Sequence, residues 1–188
     1  ESNLYLALRR HSFYPLNYKG ARGYYPSYLQ LICQAKSAYP LCMTWHAKLD
    51  IQYKLEDDRT VARYERVGPL QVLQSLYPEG NAVCHNVLVH PPGGLVGGDT
   101  LDITINVAPH AHGLITTPGA TRFYKSLGEP ALQRTQVKVQ AKGRLEWLPL
   151  EAIAYNACLA ENQCIFQLDE GAEMMGWDVT ALGLPHAD

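Results

Sequence analysis

The most constraining feature of this chain is a strict alternation. In "WHAKLDIQYKL" (45–55) Trp45, Ala47, Leu49, Ile51, Tyr53 and Leu55 are apolar, while His46, Lys48, Asp50, Gln52 and Lys54 are polar. A period of two places one set of side chains on each side of an extended chain, the pattern of a strand with one wet face. "LDITINV" (101–107) repeats it with Leu101, Ile103, Ile105 and Val107, and "VCHNVLV", "TQVKVQA", "GRLEWL" and "QCIFQL" carry weaker versions. "EDDRT" after the first run reads as a turn, and Gly, Pro, Asn and Asp separate the later ones. No window shows an apolar stripe at helical spacing with caps. The expected fold class is therefore all-β: a sandwich, barrel or solenoid. No segment repeats in identity at a fixed spacing, so self-similarity does not support a regular solenoid.

Composition divides the chain. Residues 1–44 carry five Lys/Arg against Glu1 alone and seven of the twelve tyrosines, whereas residues 45–188 carry seventeen acids against eleven bases. The leader fits an organelle transit segment, a disordered tail or sequence foreign to the domain, and we expect one of the latter two. The 188-residue chain starts at Glu1, so a partial chain is expected. Its net charge of −2 supplies no electrostatic reason for nucleic acid or an anionic membrane as partner. Five cysteines (Cys33, Cys42, Cys84, Cys158, Cys164) without a C-x-x-C pair argue against a disulfide framework or zinc ribbon. Reduced thiols suit the cytoplasm. No apolar run approaches the roughly 18–20 residues of a membrane span, and no secretory signal is evident.

The densest loop signal is "HPPGGLVGGD" (90–99). It has neither the Lys-Ser/Thr of a Walker loop nor a helix following a G-x-G-x-x-G turn, so it is not read as a phosphate cradle. Pro91-Pro92 hold the backbone extended, the paired glycines allow the chain to reverse twice, and Asp99 can cap the amides so exposed. No G-x-S-x-G elbow is present. Metal chemistry has candidates in Cys84-His85, His90, Asp99 and "HAH" (110–112), although Pro109-His110 also reads as a turn and H-E-x-x-H is absent.

Taken together, "GPLQVLQSLYPEG", "CHNVLVHPPGGLVGGDTLDI", "LITTPGATRFYKS", "LEWLPLEAI" and the Trp177-Asp178, Leu182-Gly183 series resemble the urease accessory protein UreD (UreH) family. The resemblance runs from about Trp45 to Pro185, roughly the first half of a family member, with the C-terminal half absent. It implies a β-rich, helically wound fold and a non-catalytic role in nickel insertion. Such a protein binds apo-urease on one side and a UreF-type partner on the other, which recruits the nickel-carrying UreG-type GTPase. Nickel is then transient cargo in a water-filled passage, with no tightly bound cofactor. Asp99 and Asp178 match acidic positions along that passage and Thr121 a hydroxyl position beside it. Cys84 and His85 match a Cys-His pair that serves either as transient ligands or as packing, with packing favoured. His90 is read as structural. Scattered oxygen donors suit a cation that must be released.

Three positions depart from the family pattern, all toward leucine: Leu73 and Leu150 replace Gln, and Leu184 replaces Arg. If buried, the two lost amides would leave backbone groups unpaired at about 1–3 kcal/mol each. Two alternatives to the scaffold reading follow. One is a metal-dependent β-fold enzyme using His85, His90, Asp99 and His112; the other is a non-functional truncated remnant.

Overall fold

Both strong alternations form strands. The computed structural model describes residues 4–13 and 44–183, and among these there are fourteen strands and no helix. β2 (His46–Glu56) turns back on β3 (Arg59–Val67) through Asp57 and Asp58, whose φ values of 45° and 63° give the positive-φ pair that a tight hairpin requires. The turn at "EDDRT" is thus confirmed.

From β5 (Val83–Val89) onward the chain winds. β6 (Thr100–Val107), β7 (His112–Thr116) and β8 (Thr121–Phe123) make one turn with three sides. β9 (Ala131–Val139), β10 (Arg144–Leu148) and β11 (Ala152–Ala154) make the next, and β12 (Ala160–Leu168), β13 (Glu173–Gly176) and β14 (Thr180–Leu182) a third. Strands at the same place in successive turns pair in parallel: β6 with β9 and β9 with β12, β7 with β10 and β10 with β13, β8 with β11 and β11 with β14. Parallel strands need a long crossover, and here each crossover consists of the strands of the other two sides.

β2 and β5 start the stack by pairing in parallel with β6 and β7. The loop after β5 closes that first turn, since Leu95 bridges in parallel to Phe123 of β8. β3 lies antiparallel on β2, and β4 (Gln71–Val72) on β5. β1 (Leu4–Phe13) lies antiparallel on β12 at the far edge of the six-stranded sheet. Of the leader, only this strand and Thr44 fall within the described residues.

A solenoid is therefore present without a sequence repeat. Thr100 pairs with Leu132, 32 positions on, and Leu132 with Glu161, 29 positions on. What recurs is the inward phase of the alternation, not residue identity. Across the six-stranded sheet, Ile51, Ile105, Val137 and Phe166 stack in register, as do Tyr53, Val107, Val139 and Leu168. All but the half-buried Leu168 are buried, and this apolar contact holds the turns together.

One polar cluster anchors the start of the stack. Tyr53, fully buried, donates from its hydroxyl to Asn86 Oδ1 at 2.8 Å, and Asn86 Nδ2 donates to Ser75 Oγ at 3.0 Å. Burial, then the nearby Cys84 and Tyr77, push the Tyr53 phenol well above the ordinary tyrosine value, so it remains a donor. Tyr53→Phe leaves Asn86 Oδ1 with only the weak Cys84 thiol, 3.6 Å away. Its stability in urea is expected to fall by about 1–2 kcal/mol.

Candidate functional site

Two other inward rows change character along the axis. Leu49 and Ile103 give way to Thr135 and Cys164, and Ala47 and Leu101 to Gln133 and Asn162. A cavity of about 240 Å³ opens beside this change, many times the roughly 10–15 Å³ that one water needs. Its polar lining is His90, Thr117, Thr121, Arg122, Gln133, Asn162, Cys164 and Asp178, set among apolar side chains such as Leu88 and Trp147.

Three of these residues form a ladder. Gln133 Nε2 donates to Asn162 Oδ1 at 3.4 Å, and Asn162 Nδ2 donates to Asp178 Oδ2 at 3.2 Å. The ladder climbs from the buried Asn162 to the exposed Asp178, so the polar wall reaches solvent. Burial, and after it the Asp178 charge, push the Cys164 thiol up to about 12. Burial also holds the His90 imidazole below the ordinary histidine value, with the charge of Asp99 acting in the opposite direction.

The structure separates the residues singled out in the sequence. Thr121 and Asp178 line the cavity together. Asp99 is buried in the loop, where Oδ2 accepts from Val96 N at 2.9 Å and Oδ1 from Trp45 N at 3.2 Å, and it is not among the lining residues. It caps the loop as its position suggested. The two reversals are also present: Gly93 N donates to His90 O and Asp99 N to Val96 O, with Gly93 at φ 76° and Gly98 at φ 90°.

Cys84 and His85, adjacent on β5, point to opposite sides of the sheet. Cys84 is fully buried beside Asn86, while His85 Nε2 meets Glu79 at 2.8 Å on the outside. They do not face a common point. His112 is engaged with Glu146 at 2.9 Å, and His110 sits in a turn at φ 63°. Among the described residues, no group of three or more His, Cys, Asp and Glu side chains gathers as a metal site. The constellation of His85, His90, Asp99 and His112 is therefore not assembled. Cys84, Cys158 and Cys164 are buried free thiols, and Cys33 and Cys42 lie outside the described residues.

The expectation for two of the leucines is corrected. Leu73 and Leu150 are 49% and 46% exposed rather than buried. Their amides are paired, Leu73 N to Val87 O and Leu150 N to Thr117 Oγ1, each at 3.0 Å. No unpaired backbone group follows from these substitutions, because the side chains stand in solvent. Leu184 lies outside the described residues.

A family model described as UreD urease accessory protein matches residues 46–188. The chain belongs to this family. Among its relatives, the urease accessory protein UreD of Paracidovorax citrulli is 68% identical over 145 residues, 77% of this chain and 52% of that protein. The UreD proteins of Albidiferax ferrireducens (66% over 145 residues, 77% and 52%) and Variovorax paradoxus (65% over 146 residues, 78% and 53%) are similar. The chain thus spans about half the length of the curated relatives it matches. The UreD match begins at β2, so β1 lies outside it. No helix among the described residues of this UreD chain is long and apolar enough to cross a membrane.

Sequence reasoning missed Gln133 and Asn162. The available signal was phase: both occupy inward positions of alternating strands, where a polar side chain needs a partner.

Proposed function

We propose that this UreD chain is a non-catalytic scaffold in urease maturation whose solenoid interior guides nickel toward apo-urease. The observation that carries the reading is the polar ladder from Gln133 through Asn162 to Asp178 along an open cavity. With Thr121 beside it, the ladder offers a divalent cation amide, hydroxyl and carboxylate oxygens, and no group of three or more His, Cys, Asp and Glu side chains gathers among the described residues to trap it. A cation in transit needs binding strong enough to enter and weak enough to leave. Asp178, at the exposed end, is the entry or exit ligand, Thr121 assists from β8, and Asp99 acts on the passage through the loop it caps.

In this reading apo-urease docks on one side and a UreF-type protein on the other, with a UreG-type GTPase delivering the nickel in the cytoplasm. GTP hydrolysis belongs to the partner, in keeping with a loop that lacks Lys-Ser/Thr after its last glycine. Co-expression with urease and the UreF-type partner tests this. Asp178→Ala is expected to co-purify with both and to lower nickel-dependent urease activity by about tenfold, the scale expected when a metal-supporting group is lost. Parent-level activation by both Asp178→Ala and Asn162→Leu would sink the passage. Failure of the parent chain to co-purify would sink the scaffold.

A further inference from the structure

His90 begins the loop that closes the first turn of the solenoid, and its surroundings accept one state of its ring and not the other. Pro91 restricts its backbone to extended conformations, and its carbonyl accepts from Gly93 N at 2.8 Å. Its Nε2 is buried, essentially without accessible surface, and meets no hydrogen-bond partner in the protein. A neutral imidazole tolerates this, because its single proton can sit on Nδ1 and leave Nε2 a bare acceptor. A protonated imidazole carries N–H on both nitrogens. Nε2 would then be a charged donor with nothing to donate to, a strongly unfavourable arrangement away from water.

The charged and titratable groups around the ring do not relieve this. Asp99, whose charge favours the protonated ring, has Oδ2 on Val96 N and Oδ1 on Trp45 N, so it would have to give up its cap to reach Nε2. Arg122 of β8 lines the same cavity and has the same sign as a protonated ring. Cys164 of β12 stays neutral, since burial and then the Asp178 charge push its thiol up to about 12. Asp178 stands at the exposed end of the cavity, with Asn162 Nδ2 on it at 3.2 Å. Burial outweighs Asp99 and holds the His90 ring below the ordinary histidine value.

We propose that His90 is an acid-sensitive latch on the loop 90–99: the neutral ring lets the loop pack shut, and a proton on the ring releases it. Leu95, which bridges to Phe123, and Asp99, which holds Trp45, both belong to this loop, so its release loosens the closure of the first turn. The direction follows from linkage. A histidine whose value is lowered by folding takes its proton more readily once the loop is open. The closed form is therefore fully stable above about pH 6.5 and loses stability as pH falls below it. The latch needs no metal and stands apart from the passage proposed above.

Native-state hydrogen exchange on the full chain tests this, with each rate divided by the intrinsic rate at its pH. In the parent, protection of Leu95 N, Gly98 N and Asp99 N is expected to fall below about pH 6.5 relative to Ile103 and Ile105 inside the six-stranded sheet. The fall should approach tenfold per pH unit, the slope of one proton. In His90→Leu, which has no ring to titrate, the same ratio is expected to stay flat. A second measurement needs no variant and decides the question should His90→Leu fail to fold: the His90 ring in the folded parent should titrate below its own value in the urea-unfolded chain. The latch is overturned if His90→Leu loses loop protection with acid as the parent does, if the parent loses none, or if the folded ring titrates at or above its unfolded value.

Discussion

Asp99→Ala is expected to cost about 2–5 kcal/mol in urea denaturation. The side chain is 4% exposed, and each carboxylate oxygen accepts a backbone amide, Val96 N at 2.9 Å and Trp45 N at 3.2 Å. Alanine leaves both part-buried amides without this acceptor, and an unsatisfied backbone donor costs about 1–3 kcal/mol where water does not reach it. The contact to Trp45 spans 54 positions and fastens the start of β2 to the loop that closes its own turn of the solenoid. Asp99→Asn keeps one acceptor and turns an amide nitrogen toward the other donor, so about half the loss or more is expected. The same pair separates two roles for this carboxylate. If Asp99 served only as a nickel donor, both variants would unfold at the parent's urea midpoint. If it caps the loop, activation of urease should fall in proportion to the folded fraction.

Gly94→Val is expected to destabilise the protein by about 3 kcal/mol or more, through overpacking that backbone cannot relieve. A Cβ at Gly94 would lie 2.8 Å from the carbonyl oxygen of Arg122 and also against the ring of Tyr124. Both belong to the strand and loop on which the closing segment rests: Leu95 N donates to Arg122 O at 2.7 Å, and Tyr124 N to Leu95 O at 2.9 Å. The added carbon therefore pushes apart the two layers whose parallel bridge completes the turn. Gly119→Ala is the control, because a Cβ there would meet nothing within 4 Å and its φ is not in the positive range. It is expected to be neutral or to gain about 0.4–1 kcal/mol from a less flexible unfolded chain. Thermal unfolding of the two variants side by side checks the contrast, and equal midpoints would mean that the loop does not pack as described.

Parts of the site were legible in the residues and parts were not. The loop chemistry was legible because it is local: Pro91-Pro92, the paired glycines and a terminal Asp99 define turns and a cap within ten residues. The Cys84-His85 pair shows the opposite limit. Adjacency in sequence suggests a shared ligand, yet the alternation that makes β5 a strand sends the two side chains to opposite faces. Gln133 and Asn162 became neighbours of Asp178 only through the winding, since the contacts span 29 and 16 positions. The exposure of Leu73 and Leu150 could not be read from composition, which records that a residue is apolar and not where it stands.

By itself, the sequence determined that the chain is built of strands, which face of each strand is apolar and where the chain turns, because these depend on neighbours one to four residues away. The family was also determined there, by the loop motifs and their order. Alternation alone left open whether the strands wind or fold into hairpins; the family resemblance implied the winding, and only the tertiary structure decided which turns lie in register. That choice rests on matching the inward faces of segments about 30 positions apart, as Thr100 with Leu132 and Leu132 with Glu161. Alternation specifies which side is inward but not which strand lies next. The cavity and the ladder of Gln133, Asn162 and Asp178 exist only once that stacking is made.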